Sequence, residues 1–548
     1  MATSISRPWA ALWGVLAAGA GLAGAELVAG VVGGPPSSPV VAVGAAFIDV
    51  IPVPVREFGI RTLGTADKPV LISGIVVVVA AIAAAAGVLA ARRRGVGLAI
   101  LAGLGLLGAI AAGTRPDSGL GTIFPSLVAA AVGMGVLTWL LAVTERAQLV
   151  ADSAARRPTV RAATSPGGQL GTRPTTMSTT APTRTPTSPP APRAPMARRE
   201  LMWRGGVVVV GSLVAAGGGR TLLARQQAAQ DARATFPVPR PPTTAVPAGA
   251  DLGVDDLSPW RTPSDVFYRI DTALTVPVVD PTTWRLRIHG MVDRPLDITV
   301  AQLQKRRIVH RWVTLTCVSN EVGGDLVGNA LWTGVPIADL LAEVGVHPAA
   351  DAVRSTSQDG WTCGTPLSAL TDGRSALLAF GMNGEPLPFE HGFPVRMVVP
   401  GLYGYVSATK WVVDIEVTRF DRFKAYWSTR GWSEQGPIKT ASRIDVPSSG
   451  AAVSAGQVVV AGVAWAQHRG ISRVEVQVDD GDWNVAHLAG EPTKDSWRQW
   501  RWTWDAKPGD HQVRVRAFDT AGEVQTAALA PPAPDGSTGL HMVEVSVG

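Results

Sequence analysis

Four apolar stretches fill most of the first 150 residues, near Trp9–Val32, Pro69–Ala91, Val96–Gly113 and Thr122–Val143. An α-helix rises about 1.5 Å per residue and the hydrocarbon core of a bilayer is about 30 Å thick, so a spanning helix needs roughly 20 such residues. Each stretch comes close to or exceeds that length. A fifth, near Gly205–Ala224, is shorter, and Arg220 limits its far end. This pattern predicts an α-helical membrane bundle of about five spans, with every other part of the chain arranged around it.

Charge orients the bundle. Arg92, Arg93 and Arg94 occupy a very short turn between the second and third spans. Basic loops favour the cytoplasmic side, which places the N-terminus inside, residues 33–68 outside and residues 144–204 inside. The stretch 151–204 carries nine arginines against Asp152 and Glu200, so the basic linker falls on the cytoplasmic side independently. Residues 1–150 hold nine basic and six acidic side chains; with a net charge of +6 for the whole chain, residues 205–548 carry −4. The basic excess belongs to the linker and to membrane topology, and argues against a nucleic-acid partner. The fifth span then carries everything after about Gln226 out of the cytoplasm. Glu26, the one acidic residue deep in an apolar run, reads either as an intramembrane functional group or as a hydrated residue near the outer helix end.

The domain reading follows: residues 1–150 a four-span membrane domain, 151–197 a Pro/Thr/Arg-rich cytoplasmic linker, 198–225 the fifth span, 226–250 a tether, 251–435 a mixed α+β domain and 436–548 an immunoglobulin-like β-sandwich. The linker's composition predicts an extended, unfolded segment. Arg198-Arg199 followed by Leu201-Met202 and an apolar run reads equally as a twin-arginine export signal and as ordinary basic flanking.

In the soluble half, "TTWRLRIHGMV" alternates Trp284, Leu286 and Ile288 with Arg285, Arg287 and His289, the pattern of a half-buried strand. "ITVAQLQKR" reads as a strand end and a short helix, and "VPIADLLAEVG" as a helix stopped at Gly345. "FPVRMVVPG" and "TKWVVDIEV" read as strands. After Gly436 the pattern turns to strands only, joined by turns such as Asp480-Gly481 and Pro508-Gly509, which predicts a sandwich of about 100 residues.

The chain has two cysteines and eight histidines, and every histidine lies at or after His289. No span can hold a bis-His haem, no C-x-x-C-H motif is present, and the thiols are too few for an all-cysteine iron–sulfur cluster. Cys317 ends the run "VTLTC", which puts Val313, Leu315 and Cys317 on one face of a strand and Thr314 and Thr316 on the other. From the residues alone Cys317 reads as core filler, half of a disulfide with Cys363, a nucleophile, or a soft-metal ligand.

The ordered motifs "FYRID", "VTLTCVSN", "LWTGVPIADLL", "FGMNGEPLPFEHGFPVRMVVPG", "ATKWVVDIEV" and "GVAWA…RGISRVEVQVDDG" resemble the sulfite oxidase family of molybdopterin enzymes, over roughly Pro259 to Gly548. The resemblance implies a Mo-molybdopterin cofactor with Cys317 as the metal's thiolate ligand, which excludes the disulfide and leaves Cys363 a small core residue. It implies Phe267, Tyr268 and Arg269 around cofactor and substrate, and His391 and Arg396 on the pterin or its phosphate. Ser407, Ala408, Thr409 and Lys410 match further cofactor contacts; Asp271, Asn320 and Asp359 are weaker matches. Arg469 matches an arginine that the C-terminal domain sends toward the substrate pocket. Planar, permanently charged guanidinium groups suit phosphate and oxyanion recognition.

Three departures shape the functional expectation. Arg269-Ile270-Asp271 stands where the animal enzymes have Arg-Asn-His. Trp432 stands at the position of their catalytic tyrosine, and Glu321-Val322 follows Asn320 where paired arginines are usual. The chain is thus expected to be a membrane-anchored, extracytoplasmic molybdenum oxidoreductase that moves an oxygen atom to or from a small oxyanion or S/N-oxide. With no haem signature, it would pass electrons to a separate carrier, a cytochrome or quinone-linked membrane partner. Besides membrane lipid, the resemblance leaves room for a homodimer through the C-terminal domain. The rival expectation is a degenerate, non-catalytic domain serving as a membrane-bound binding module.

Overall fold

The computed structural model describes residues 6–32, 38–52, 67–114, 120–155 and 227–548, with scattered positions between 55 and 63. The fifth span, the twin-arginine-like segment and nearly all of the linker lie outside the described residues.

The N-terminal unit contains helices α1 (Arg7–Val32), α2 (Pro39–Val50), α3 (Asp67–Ala90), α4 (Arg94–Gly113) and α5 (Leu120–Ala155). Four of them, α1, α3, α4 and α5, are long and apolar enough to cross a membrane. They correspond to the four stretches expected from sequence. The 12-residue α2 was not anticipated; it begins at an N-cap Ser38 followed by Pro39, a favoured helix start. The bundle closes through small residues. A Cβ on Gly14 of α1 would fall 1.9 Å from the Ala83 carbonyl of α3, and one on Gly87 of α3 would fall 2.1 Å from the Ala10 carbonyl. Lipid offers little hydrophobic drive between helices, so such backbone-to-backbone contact is how they associate. Arg94, at the start of α4, forms an ion pair with Glu145 of α5.

The second unit, described over residues 227–548, holds two linked folds. Ten strands build the first: β1 (Arg285–Gly290), β2 (Leu296–Thr299), β3 (Val309–Thr316), β4 (Val327–Pro336), β5 (Ala352–Ser357), β6 (Thr362–Pro366), β7 (Leu377–Met382), β8 (Glu385–Pro386), β9 (Arg396–Val398) and β10 (Val412–Thr418). One sheet runs β2-β1-β10-β5-β6 and the other β3-β4-β7-β8, with β9 on β7. The predicted alternation holds in β1: Trp284, Leu286 and Ile288 are buried, while Arg285 and Arg287 are exposed. The short helix Val300–Gln304 is capped by a reciprocal Thr299–Gln302 box. Helix Ile337–Val344 stops at Gly345, whose φ of +69° lies in the left-handed region that favours glycine.

The remaining strands form a sandwich of two sheets, one of four strands between Ala441 and Ala506 and one of five between Ala451 and Val547. Its own core contains Ile444, Val460, Val474, Val476, Trp500, Val513 and Val543. Val463, Trp465 and Trp497 instead join the core of the first fold. This explains why both faces of β3 are buried. Gln467 donates to the Thr316 hydroxyl at 2.9 Å, and the Trp497 amide donates to the Thr314 hydroxyl at 2.7 Å. The threonine face of β3 is covered by the sandwich rather than by water.

Candidate functional site

A cleft of about 820 Å³, counting its solvent-open mouth, lies where β3, β5 and the loops carrying residues 267–272, 389–396 and 404–411 converge. Cys317 sits on its wall, in the turn directly after β3. That turn is clamped along its length. The Cys317 amide donates to the Leu326 carbonyl (3.0 Å), the Asn320 amide to the Cys317 carbonyl (3.1 Å), and the Leu326 amide to the Asn320 Oδ1 (2.8 Å). Ser537, from the sandwich domain, donates to the Asn320 carbonyl at 2.6 Å. Asn320 therefore shapes the cysteine's turn and does not line the cleft. The Ser319 amide donates to the Cys317 Sγ at 3.4 Å. Burial pushes the thiol's pKa up, and this amide works against that rise.

Opposite stands a group of cationic and aromatic side chains. Phe267 stacks on Tyr268 (centroids 5.2 Å apart) and meets Trp332 and His391 edge-on at 5.8 and 5.6 Å. A Cβ at Gly328 would come within 2.8 Å of the Phe267 ring, so this strand position requires glycine. Burial drives the Tyr268 hydroxyl well above the usual phenol range. His391 bonds the Ser264 carbonyl through Nε2 at 3.0 Å. Because a carbonyl only accepts, Nε2 carries the proton and Nδ1 remains an acceptor. Burial, and then the nearby Arg396 and Lys410 charges, hold the imidazole neutral by lowering its pKa to about 3.

Arg396, on β9, is 5% exposed and lies 5.0 Å over the Trp332 ring. Its hydrogen bonds go to the carbonyls of Met397 and His391, and among the described residues no carboxylate lies within ion-pair distance of it. Burial lowers its pKa to about 10. Lys410 does have a counter-ion: its Nζ lies 2.6 Å from the Asp271 carboxylate and 3.0 Å from the Glu390 carbonyl. Burial lowers its pKa to about 8, opposed by Asp271. Gly392, at φ +107°, lets these two chains meet, since a Cβ there would lie 3.0 Å from the Arg396 Cβ and 3.1 Å from Lys410. Asp359 accepts from the Ser357 hydroxyl in the β5–β6 turn.

Of the residues expected from sequence, Cys317, Phe267, Tyr268, Asp271, Asp359, His391, Arg396, Ala408 and Lys410 share this cleft. Ser407 and Thr409 alternate away from it: Ser407 donates to the Leu402 and Tyr403 carbonyls, and Thr409 pairs with Ser355 at 2.7 Å. Arg269 lies between the lining residues Tyr268 and Ile270 and bonds Asp271 at 3.0 Å. Arg469 is tied to Asp519 (3.0 Å), the Ile438 carbonyl and the Thr440 hydroxyl, not to the cleft wall. Its charge and that of Cys317 both act on Tyr403, which burial pushes up to about 12. Trp432 is buried behind the wall, 5.9 Å from Tyr405 and 6.1 Å from Trp427. The sequence reading missed the lining residues Trp361, Tyr405, Trp411 and Trp427. Cys363 is fully buried beside Thr365, and both thiols are free.

Among the described residues no three His, Cys, Asp or Glu side chains converge to hold a metal. One thiolate is too small a donor set for any metal. A metal beside Cys317 must bring most of its ligands on a cofactor. The cleft fits such a group: a soft sulfur donor, a neutral imidazole with an open acceptor, and a buried guanidinium without a counter-anion suit an anionic cofactor with hydrogen-bonding edges.

Residues 273–427 match the family model for the oxidoreductase molybdopterin binding domain, and residues 441–515 match that for the bacterial Ig domain. The chain is 30% identical over 322 residues to the mitochondrial sulfite oxidase of Mus musculus, covering 50% of this chain and 58% of that protein. It is 33% identical over 157 residues to the oxidoreductase YuiH of Bacillus subtilis, covering 29% of this chain and 76% of that protein. Among solved structures, the sulfane dehydrogenase SoxCD of Paracoccus pantotrophus aligns at 25% identity and a TM-score of 0.46, over 52% of this chain and 81% of that one. The chain thus spans little more than half the length of the mouse enzyme. The family match, the YuiH relative and the chemistry of the cleft agree: the chain belongs to the sulfite oxidase family of molybdopterin-dependent oxidoreductases.

Proposed function

We propose that this protein is a membrane-anchored, extracytoplasmic molybdenum oxidoreductase that moves an oxygen atom between water and a small oxyanion or S/N-oxide. The observation that carries the reading is one cleft holding both Cys317 and the buried, counter-ion-free Arg396. Four helices of spanning length and the Arg92–Arg94 turn support the anchoring and the bundle's orientation, and the apolar stretch near Gly205–Ala224 would carry the rest of the chain outward.

The bound cofactor would supply two-electron redox and oxygen-atom transfer. The chain's residues do the rest. Cys317, held rigid by its clamped turn, would ligate the metal. Arg396 and Lys410 would neutralise the cofactor's negative charge, and the Nδ1 of His391 and the Asp359 carboxylate would accept from its hydrogen-bonding edges. Arg269 would meet an anionic substrate at the cleft's edge. Phe267, Trp361, Trp411 and Trp427 exclude water from much of the wall, which strengthens each charged contact. Oxidation of one substrate with one water releases two electrons and two protons, so a separate electron carrier is required.

The test is metal content followed by turnover. Protein made with cofactor synthesis intact should hold about one molybdenum per chain and oxidise small sulfur oxyanions with an artificial acceptor. Metal present without turnover of any oxyanion or S/N-oxide would favour the non-catalytic binding module instead.

A further inference from the structure

The membrane unit contains a second, half-open cavity of about 640 Å³, counting the open space at its mouth, whose wall includes Leu22, Pro39, Val79, Gly105, Gly108 and Ser126. It is apolar except for Ser126. That side chain is fully buried, and its hydroxyl has no hydrogen-bond partner among the described residues. A helical serine ordinarily bonds back to the carbonyl one turn earlier; this one does not. An orphan hydroxyl costs about 1–3 kcal/mol and has no water to turn to in a bilayer. Gly108 of α4 packs directly beside it, since a Cβ there would lie 2.9 Å from the Ser126 Oγ.

An acid follows the wall in sequence without lining it. Ala18 and Leu22 of α1 line the wall, and Glu26 continues that row at the next helical turn. Its carboxylate accepts from the Ser38 hydroxyl, and Ser38 directly precedes the wall residue Pro39. An apolar slot and a hydroxyl lacking an acceptor together suit a flat, membrane-dissolved ring bearing carbonyl oxygens.

We infer that this cavity binds a quinone, whose carbonyl accepts from Ser126. The inference rests on the membrane reading above. A quinone that takes up two electrons and two protons becomes a quinol, which balances the two electrons and two protons the proposed oxidation releases. It would place the electron acceptor's binding site on this chain.

The test uses the full chain in lipid nanodiscs, titrated with dimethylnaphthoquinone and, separately, dimethylnaphthalene, which lacks carbonyls. Membrane fractionation comes first. The quinone should bind saturably and raise the melting temperature, and the naphthalene should not compete. Ser126→Ala should weaken binding about tenfold, the loss of one hydrogen bond, while leaving the ligand-free melting temperature unchanged or higher, because it removes an unsatisfied group. Val79→Phe, which fills the slot, should abolish binding. A chain recovered in membranes that shows no saturable binding, equal binding by Ser126→Ala, or equal competition by the naphthalene overturns the quinone site and leaves the anchoring intact. A chain that never enters the membrane fraction overturns both.

Discussion

Replacing Arg396 with methionine should leave the empty protein nearly as stable as before while weakening its hold on the cofactor. Met occupies similar apolar volume but carries no charge. The drop in the Arg396 pKa from 12.5 to about 10 corresponds to a burial penalty of about 3 kcal/mol, at about 1.4 kcal/mol per pH unit. Arg396→Met removes it. The variant also loses the charged group's bonds to the Met397 and His391 carbonyls and its contact over Trp332, together about 3–4 kcal/mol. The two effects nearly cancel, so the cofactor-free protein should melt within about 2–4 °C of the wild type. A charge-assisted bond to a bound anion contributes about 1.5–3 kcal/mol, so cofactor retention should fall by about 10–100-fold. The assay is tryptophan fluorescence melting of full-length protein from a host unable to make the pterin, paired with molybdenum content from one that can. A variant that melts several degrees lower when empty yet keeps its metal would refute the reasoning and make Arg396 a structural cation.

Further predictions follow from the same geometry. Lys410 titrates at about 8, below its unfolded value of about 10.4, so the unfolded chain holds more protons across that window. Stability should therefore rise with pH between about 8 and 10.4 while affinity for an anion in the cleft falls, read by melting and by sulfate inhibition at stepped pH. His391, lowered to about 3, contributes stability that is present above its unfolded value of about 6.5 and lost as pH falls toward about 3; His391→Gln should flatten the acid limb of the melting curve. Asp271→Asn leaves Lys410 buried without its partner and should destabilise the protein by about 3–5 kcal/mol, and Asp271→Leu with Lys410→Met should recover much of that in chemical denaturation. Cys363→Ala removes a fully buried thiol and should cost only about 1 kcal/mol, with metal content unchanged.

Much of this architecture was legible because it is periodic. Alternation in β1, the helix ending at Gly345 and the strand-only C-terminal fifth all depend on local burial, which sequence carries directly. Helix α2 escaped because twelve residues are too few for a span and lie in an apparent loop; the Ser38-Pro39 start was its only signal. The aromatic wall of the cleft was illegible for a different reason. Trp361, the pair Tyr405 and Trp411, and Trp427 come from three separate loops, and only tertiary packing turns them toward one space. The motif segment 407–410 shows the limit of linear reading: Ala408 and Lys410 face the cleft, while Ser407 and Thr409 bond into the core. Arg469 shows it again, since Asp519, the Ile438 carbonyl and the Thr440 hydroxyl hold a side chain that the motif alone sends to the pocket.

The central claim is that Cys317 is a metal ligand and not core filler, and X-ray absorption at the molybdenum edge tests it most directly. The account predicts about one molybdenum per chain in the wild type, one sulfur neighbour fewer in Cys317→Ser, and no change in Cys363→Ser. An unchanged sulfur count in Cys317→Ser, or no molybdenum in wild-type protein made with cofactor synthesis intact, would contradict it.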